Sequence, residues 1–114
     1  MATKRNRLNL NKLQLKTLAL LQELARLPGH GTPADEPGAV MIANLPRPHG
    51  DHFHIGDYVV LSRDATGLGI EAAWRALERK GLARSMFPLA IVLSKEALDY
   101  DTGWRDKILH RVDH

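Results

Sequence analysis

His49, Asp51, His52 and His54 form the one dense cluster of metal-ligating side chains in the sequence. In an extended strand, residues two apart face the same side. His52 and His54 would therefore converge, and His49 or Asp51 could complete a three-ligand nitrogen and oxygen site. The same residues also suit a polar hairpin loop with solvated histidines, and their spacing matches no named metal motif. His30, His110 and His114 stand alone and read as surface residues.

Other constellations offer less chemistry. There is no cysteine, so the chain has no disulfide, thiolate metal site or cysteine nucleophile. Ser62, Ser85 and Ser94 lack the Gly-x-Ser-x-Gly elbow of an activated serine. Gly67-Leu68-Gly69 ahead of a helix can offer N–H groups to a phosphate. It lacks the third glycine of a dinucleotide fingerprint and the lysine of a P-loop, so its simpler role is to turn the chain. Asp99 and Asp101 sit near the end of the chain and suggest no acid–base pair. The expectation is a protein that is not an enzyme and needs no cofactor.

Charge placement says more than the net charge of +3. Lys4, Arg5, Arg7, Lys12 and Lys16 all precede the first acidic residue, Glu23, and a second basic cluster holds Arg75, Arg79, Lys80 and Arg84. Both clusters can neutralise a polyanion and release its condensed counterions. The alternative is a solubilising arm and a solvated helix face.

These residues must be carried by a small fold. A chain of 114 residues, 44% hydrophobic and 25% charged, fits one α+β domain, since halves of it would bury too little core. The divisions read as a basic arm over 1–9, a domain over 10–100 and a helical or flexible tail over 101–114. No apolar run approaches the ~18 residues of a membrane span, and the basic N-terminus does not lead into a secretory signal. A soluble, cytoplasmic chain is expected.

A first helix is predicted from Asn11, with Gln14 completing a capping box and Leu10 and Leu15 placed as a hydrophobic staple. Leu13, Thr17, Leu18, Leu20, Leu21, Leu24 and Ala25 mark its buried face. Lys12, Lys16, Ala19, Glu23 and Arg26 mark the solvent face, and Pro28-Gly29 stops it. Residues 28–38, rich in proline and glycine, read as a loop. Residues 39–43 and 53–62 read as strands, joined by a hairpin through the Pro46–Asp51 segment. A second helix is expected from about Leu68 to Lys80, with Ile70, Ala73, Trp74 and Leu77 as its core stripe. Gly81 and Leu82 should close it in a Schellman motif. Two strands follow around Met86-Phe87-Pro88, then a short helical turn from Ser94.

On that second helix Ala72, Arg75, Ala76 and Arg79 form the face opposite the core stripe. Two small residues between two arginines let a nucleic-acid backbone approach, and the arginine fork suits guanine edges and phosphates. Glu71 and Glu78 beside them would repel phosphate, and a salt-bridged solvent face is the competing reading.

Residues 72–84, Ala-Ala-Trp-Arg-Ala-Leu-Glu-Arg-Lys-Gly-Leu-Ala-Arg, resemble the end of the recognition helix and the entry to the wing in winged helix-turn-helix regulators of the MarR and ArsR type. Leu93-Ser94 matches the step that closes the wing. The resemblance covers residues 64–98 and implies a winged-helix-like domain: an N-terminal helix, a small β-sheet, and a second helix followed by a β-hairpin wing. It implies a transcriptional regulator on double-stranded DNA, with a homodimer as the expected assembly. Arg75 and Arg79 would face the major groove, with Arg84, Ser85 and Met86 near the backbone at the wing. Beyond the resemblance, Lys80 and the arm residues Arg5 and Arg7 are further expected nucleic-acid contacts. The family carries a short helix just before the recognition helix. Here that slot holds Asp57–Asp64, whose paired valines favour a strand. Two further readings remain: a protein-interaction module of the same fold using Trp104 or the 28–52 loops, and a metal sensor built on His49, His52 and His54.

Overall fold

A computed structural model of the chain describes residues 6–48 and 50–111. Their order is α1 (Lys12–Leu24), β1 (Gly31–Pro33), β2 (Val40–Ala43), β3 (His52–Ile55), β4 (Tyr58–Leu61), two 3₁₀ turns (Ser62–Asp64 and Thr66–Gly69) and α2 (Glu71–Arg79). Then come β5 (Ala83–Met86), β6 (Ala90–Leu93), α3 (Lys95–Leu98), α4 (Arg105–Ile108) and β7 (His110–Arg111). The fold is α+β, with two antiparallel sheets ordered β1-β2-β6-β5 and β3-β4-β7. No helix among the described residues is long and apolar enough to cross a membrane.

Local signals set the ends of the helices. Asn11 Oδ1 accepts from the Gln14 N–H at 2.8 Å and Gln14 Oε1 accepts from the Asn11 N–H at 3.0 Å, which is the expected capping box. At the end of α2, Gly81 takes φ +79°. Leu82 N–H donates to the Leu77 carbonyl and Gly81 N–H to Glu78, forming the Schellman pair.

Several expectations change. The hairpin does not run through Pro46–Asp51. β2 lies between β1 and β6, with Val40 opposite Leu93, while β3 pairs with β4. The stretch read as a single strand over 53–62 is split by Gly56-Asp57, a two-residue turn of the kind that suits the strand twist. The 28–38 loop contributes β1. The Asp57–Asp64 slot holds strand β4 and the first 3₁₀ turn, and the second 3₁₀ turn follows it, so no regular α-helix precedes α2 there. The second helix begins at Glu71 rather than Leu68, because Thr66–Gly69 closes its own 3₁₀ turn first.

The solvent face assigned to α1 is also corrected, for Ala19 and Glu23 are buried. Beyond residue 100, α4 packs against α1, while β7 pairs with β4. Arg105 reaches the Glu23 carboxylate at 2.9 Å and the Tyr58 hydroxyl at 3.3 Å, joining α1, α4 and β4. The hydrogen bond with Tyr58, and then Glu23, push the Arg105 guanidinium above its ordinary value, so it stays charged. Ile108 and Leu109 complete the core.

The tightest approach in the core is at Gly67. The fully buried Trp74 indole N–H donates to the Gly67 carbonyl at 3.1 Å, and α1 passes so close that a Cβ on Gly67 would overlap the Thr17 hydroxyl. We expect Gly67→Ala to destabilise the fold by about 2–3 kcal/mol, as overpacking does. Thr17→Ala in the same chain should recover part of that loss, because it removes the overlapping oxygen. Urea unfolding of the double-mutant cycle measures the coupling; strictly additive effects would refute the contact.

Candidate nucleic-acid interface

α2 has two clearly different faces. Ala73, Trp74, Ala76 and Leu77 are buried, while Glu71, Ala72, Arg75, Glu78, Arg79 and the capping Lys80 are exposed. Ala76 therefore does not belong to the outer face expected for it, and Ile70 does not belong to the core stripe, since it is 39% exposed at the N-cap. Ile70 stands outside the helix as an extended N-cap residue, and the buried face of α2 is wide because the helix packs on both α1 and β5. Trp74 meets Phe87 edge to face at 4.8 Å, which locks the β5–β6 hairpin turn against the helix.

The arginines differ in how firmly they are held. Arg75 Nε donates to Glu71 at 3.0 Å, both side chains being largely exposed. Such a pair contributes ~0–1 kcal/mol, so a phosphate can compete for the guanidinium. Among the described residues Arg79 and Lys80 make no ion pair. Arg84 on β5 instead donates to both Glu36 oxygens, at 3.0 and 3.2 Å, drawing the loop before β2 over the sheet. Backbone hydrogen bonding at Glu36, and then the Arg84 guanidinium, hold that carboxyl below the usual range. Glu36, Arg84, Glu78 and Ser94 line a cleft of about 290 Å³ between the end of α2 and the sheet.

The N-terminal basic residues are not gathered with α2. Arg5 lies outside the described residues. Arg7 is exposed in a turn whose hydrogen bonds run to Tyr100, beyond α3. Lys16 binds Asp64 at 2.7 Å, both side chains mostly buried. Lys12, Lys16 and Lys107 place their ammonium groups 5.4, 5.1 and 4.9 Å from the Trp104 ring centre. Trp104, one proposed anchor for a docked partner, thus lies half-buried beneath three cations of its own chain. The sequence carried no signal for that cluster, since its members are some ninety residues apart. It did carry one for Arg63, exposed in the first 3₁₀ turn, which fills the slot ahead of α2.

The histidine cluster is brought together in part. His52 and His54 face each other on the outer side of β3, with their Nε2 atoms 3.2 Å apart, and Asp51 Oδ1 stands 3.2 Å from His52 Nδ1. His49 lies outside the described residues. Among the described residues no group of three or more His, Cys, Asp or Glu side chains gathers at one point.

No family model matches this chain, and no curated protein or solved structure is significantly similar to it.

The two faces of α2 make a direct prediction. Ala76→Glu should lower stability by roughly 1–3 kcal/mol, because it forces a carboxylate into a packed site. Ala72→Glu, one turn earlier and exposed, should stay within ~0.5 kcal/mol of the parent. Thermal unfolding of the two variants separates the faces, and equal losses would overturn the assignment.

Proposed function

We propose that this protein is a winged-helix DNA-binding module, a transcriptional regulator in which α2 lies in the major groove and the β5–β6 hairpin grips the backbone. The observation that carries the reading is the exposed row of Arg75, Arg79 and Lys80 on a helix clamped to the hairpin that follows it. Connectivity supports it. With the added edge strand β1 set aside, α1, β2, a pair of helical turns, α2 and the β5–β6 hairpin come in the order of a winged helix, and β2 pairs with the returning strand β6. The β3–β4 hairpin is an insertion between β2 and those turns.

The 3₁₀ turns take the place of the short helix that would cross the backbone, with Arg63 exposed on the first of them. Glu71 is the opposing charge. It holds Arg75 in the free protein and gives it up when a phosphate or base edge is offered. The Arg84–Glu36 pair would have to open in the same way for the wing to contact the backbone.

Fluorescence anisotropy with a random-sequence DNA duplex over a range of salt tests the reading. Binding should weaken steeply as salt rises. Arg75→Ala with Arg79→Ala should cost at least about tenfold in affinity and lower the salt slope by about two, with an unchanged melting temperature. Glu71→Gln should tighten binding by up to about fivefold. A double arginine variant that binds with the parent's affinity and slope would remove α2 from the interface.

A further inference from the structure

Apart from the DNA reading, β3 carries a second constellation on its outer face. We propose that His52 Nε2 and His54 Nε2 chelate one divalent transition-metal ion of the zinc class, with Asp51 orienting His52 from behind and water in the remaining positions.

The backbone fixes the two side chains on one face. His52 and His54 are two apart on a strand, opposite Leu61 and Val59 of β4, while Phe53 and Ile55 between and beside them point into the core. The Ser62 N–H donates to the Asp51 carbonyl at 2.8 Å and extends this pairing by one residue, which also places Asp51.

The distances fit a shared ion. Two nitrogens bound to one tetrahedral zinc at about 2.0–2.1 Å stand roughly 3.3 Å apart, and these stand 3.2 Å apart. The ring centroids are 4.8 Å apart with planes at 79°. A straight N–H···N bond would put them roughly 5.5 Å apart. The two nitrogens therefore meet at an angle, as they must to share a third atom.

The proton arrangement fits as well. Asp51 as a carboxylate only accepts, so a neutral His52 that donates to it carries its proton on Nδ1 and keeps the Nε2 lone pair. A carboxylate behind a histidine in this way is the usual outer partner of a metal-bound imidazole. Without metal, His54 Nε2–H donates to that lone pair. With metal, the His54 proton resides on Nδ1 and both Nε2 atoms coordinate, with no net charge change on the pair. Imidazole-only ligation favours zinc, nickel and copper over magnesium or calcium.

The test is a zinc titration of the untagged full-length chain, followed by calorimetry and by long-range nitrogen–proton spectra of the imidazoles. One zinc per chain should bind, and the Nε2 resonances of His52 and His54 should make the coordination shift. His52→Ala and His54→Ala should each abolish binding with an unchanged circular dichroism spectrum, while His30→Ala and His110→Ala should leave it intact. Asp51→Ala should weaken it by about ten- to a hundredfold. Zinc binding that survives loss of either His52 or His54, or no saturable binding at all, overturns the site. Full affinity in Asp51→Ala removes Asp51 from it. None of these results depends on whether the chain binds DNA.

Discussion

Trp74 is completely buried and has one polar atom, an indole N–H that water cannot reach. It is satisfied by the Gly67 carbonyl, and this requires the 3₁₀ turn to lie flat against α2. Gly67 in turn has no side chain, so α1 can approach until Thr17 fills the space. Three elements are thus held by one hydrogen bond and one missing Cβ. The other side of the same indole packs on Phe87, so the β5–β6 hairpin inherits its position from that junction. The outward row of α2 and the hairpin beside it stay in register because both are anchored to Trp74.

A second constraint is the placement of charge. Burying an unpaired charge costs several kcal/mol, so each charged side chain drawn inward takes a partner. Glu23 takes Arg105, and Lys16 takes Asp64. Those pairs bind α1 to the late segment α4 and to the first 3₁₀ turn. Among the described residues Arg79 and Lys80 on the outer row of α2 make no ion pair, and Arg75 there is only loosely held by Glu71. The outer row of α2 thus carries Arg75, Arg79 and Lys80 beside Glu71 and Glu78.

Much of the local structure was legible from residue types. The capping box at Asn11 and Gln14, the glycine stop at Gly81 and the strands around Met86-Phe87-Pro88 depend on neighbours within a few residues. Gly56-Asp57 was an equally local signal for a two-residue hairpin. It was obscured by the β-prone run on both sides, which looks continuous by composition alone. The candidate interface was partly legible. Arg75 and Arg79 lie where helical spacing puts them, but Ala76 turned inward because α2 packs on both α1 and β5, and Ile70 outward because the preceding 3₁₀ turn leaves it an extended N-cap.

By itself, the sequence determined α1 and its capping box, the glycine close of α2, the hairpin after α2 and the placing of His52 with His54 on one side of a strand. All of these follow from backbone geometry and from side chains a few residues apart. Tertiary structure alone decided that β2 joins β6 rather than β3. It also decided that Glu23 is buried by Arg105, that Lys12, Lys16 and Lys107 converge on Trp104, and that Arg84 engages Glu36. These contacts join residues far apart in the chain. Whether they form depends on which surfaces meet when the core closes around Trp74, and no local pattern encodes that.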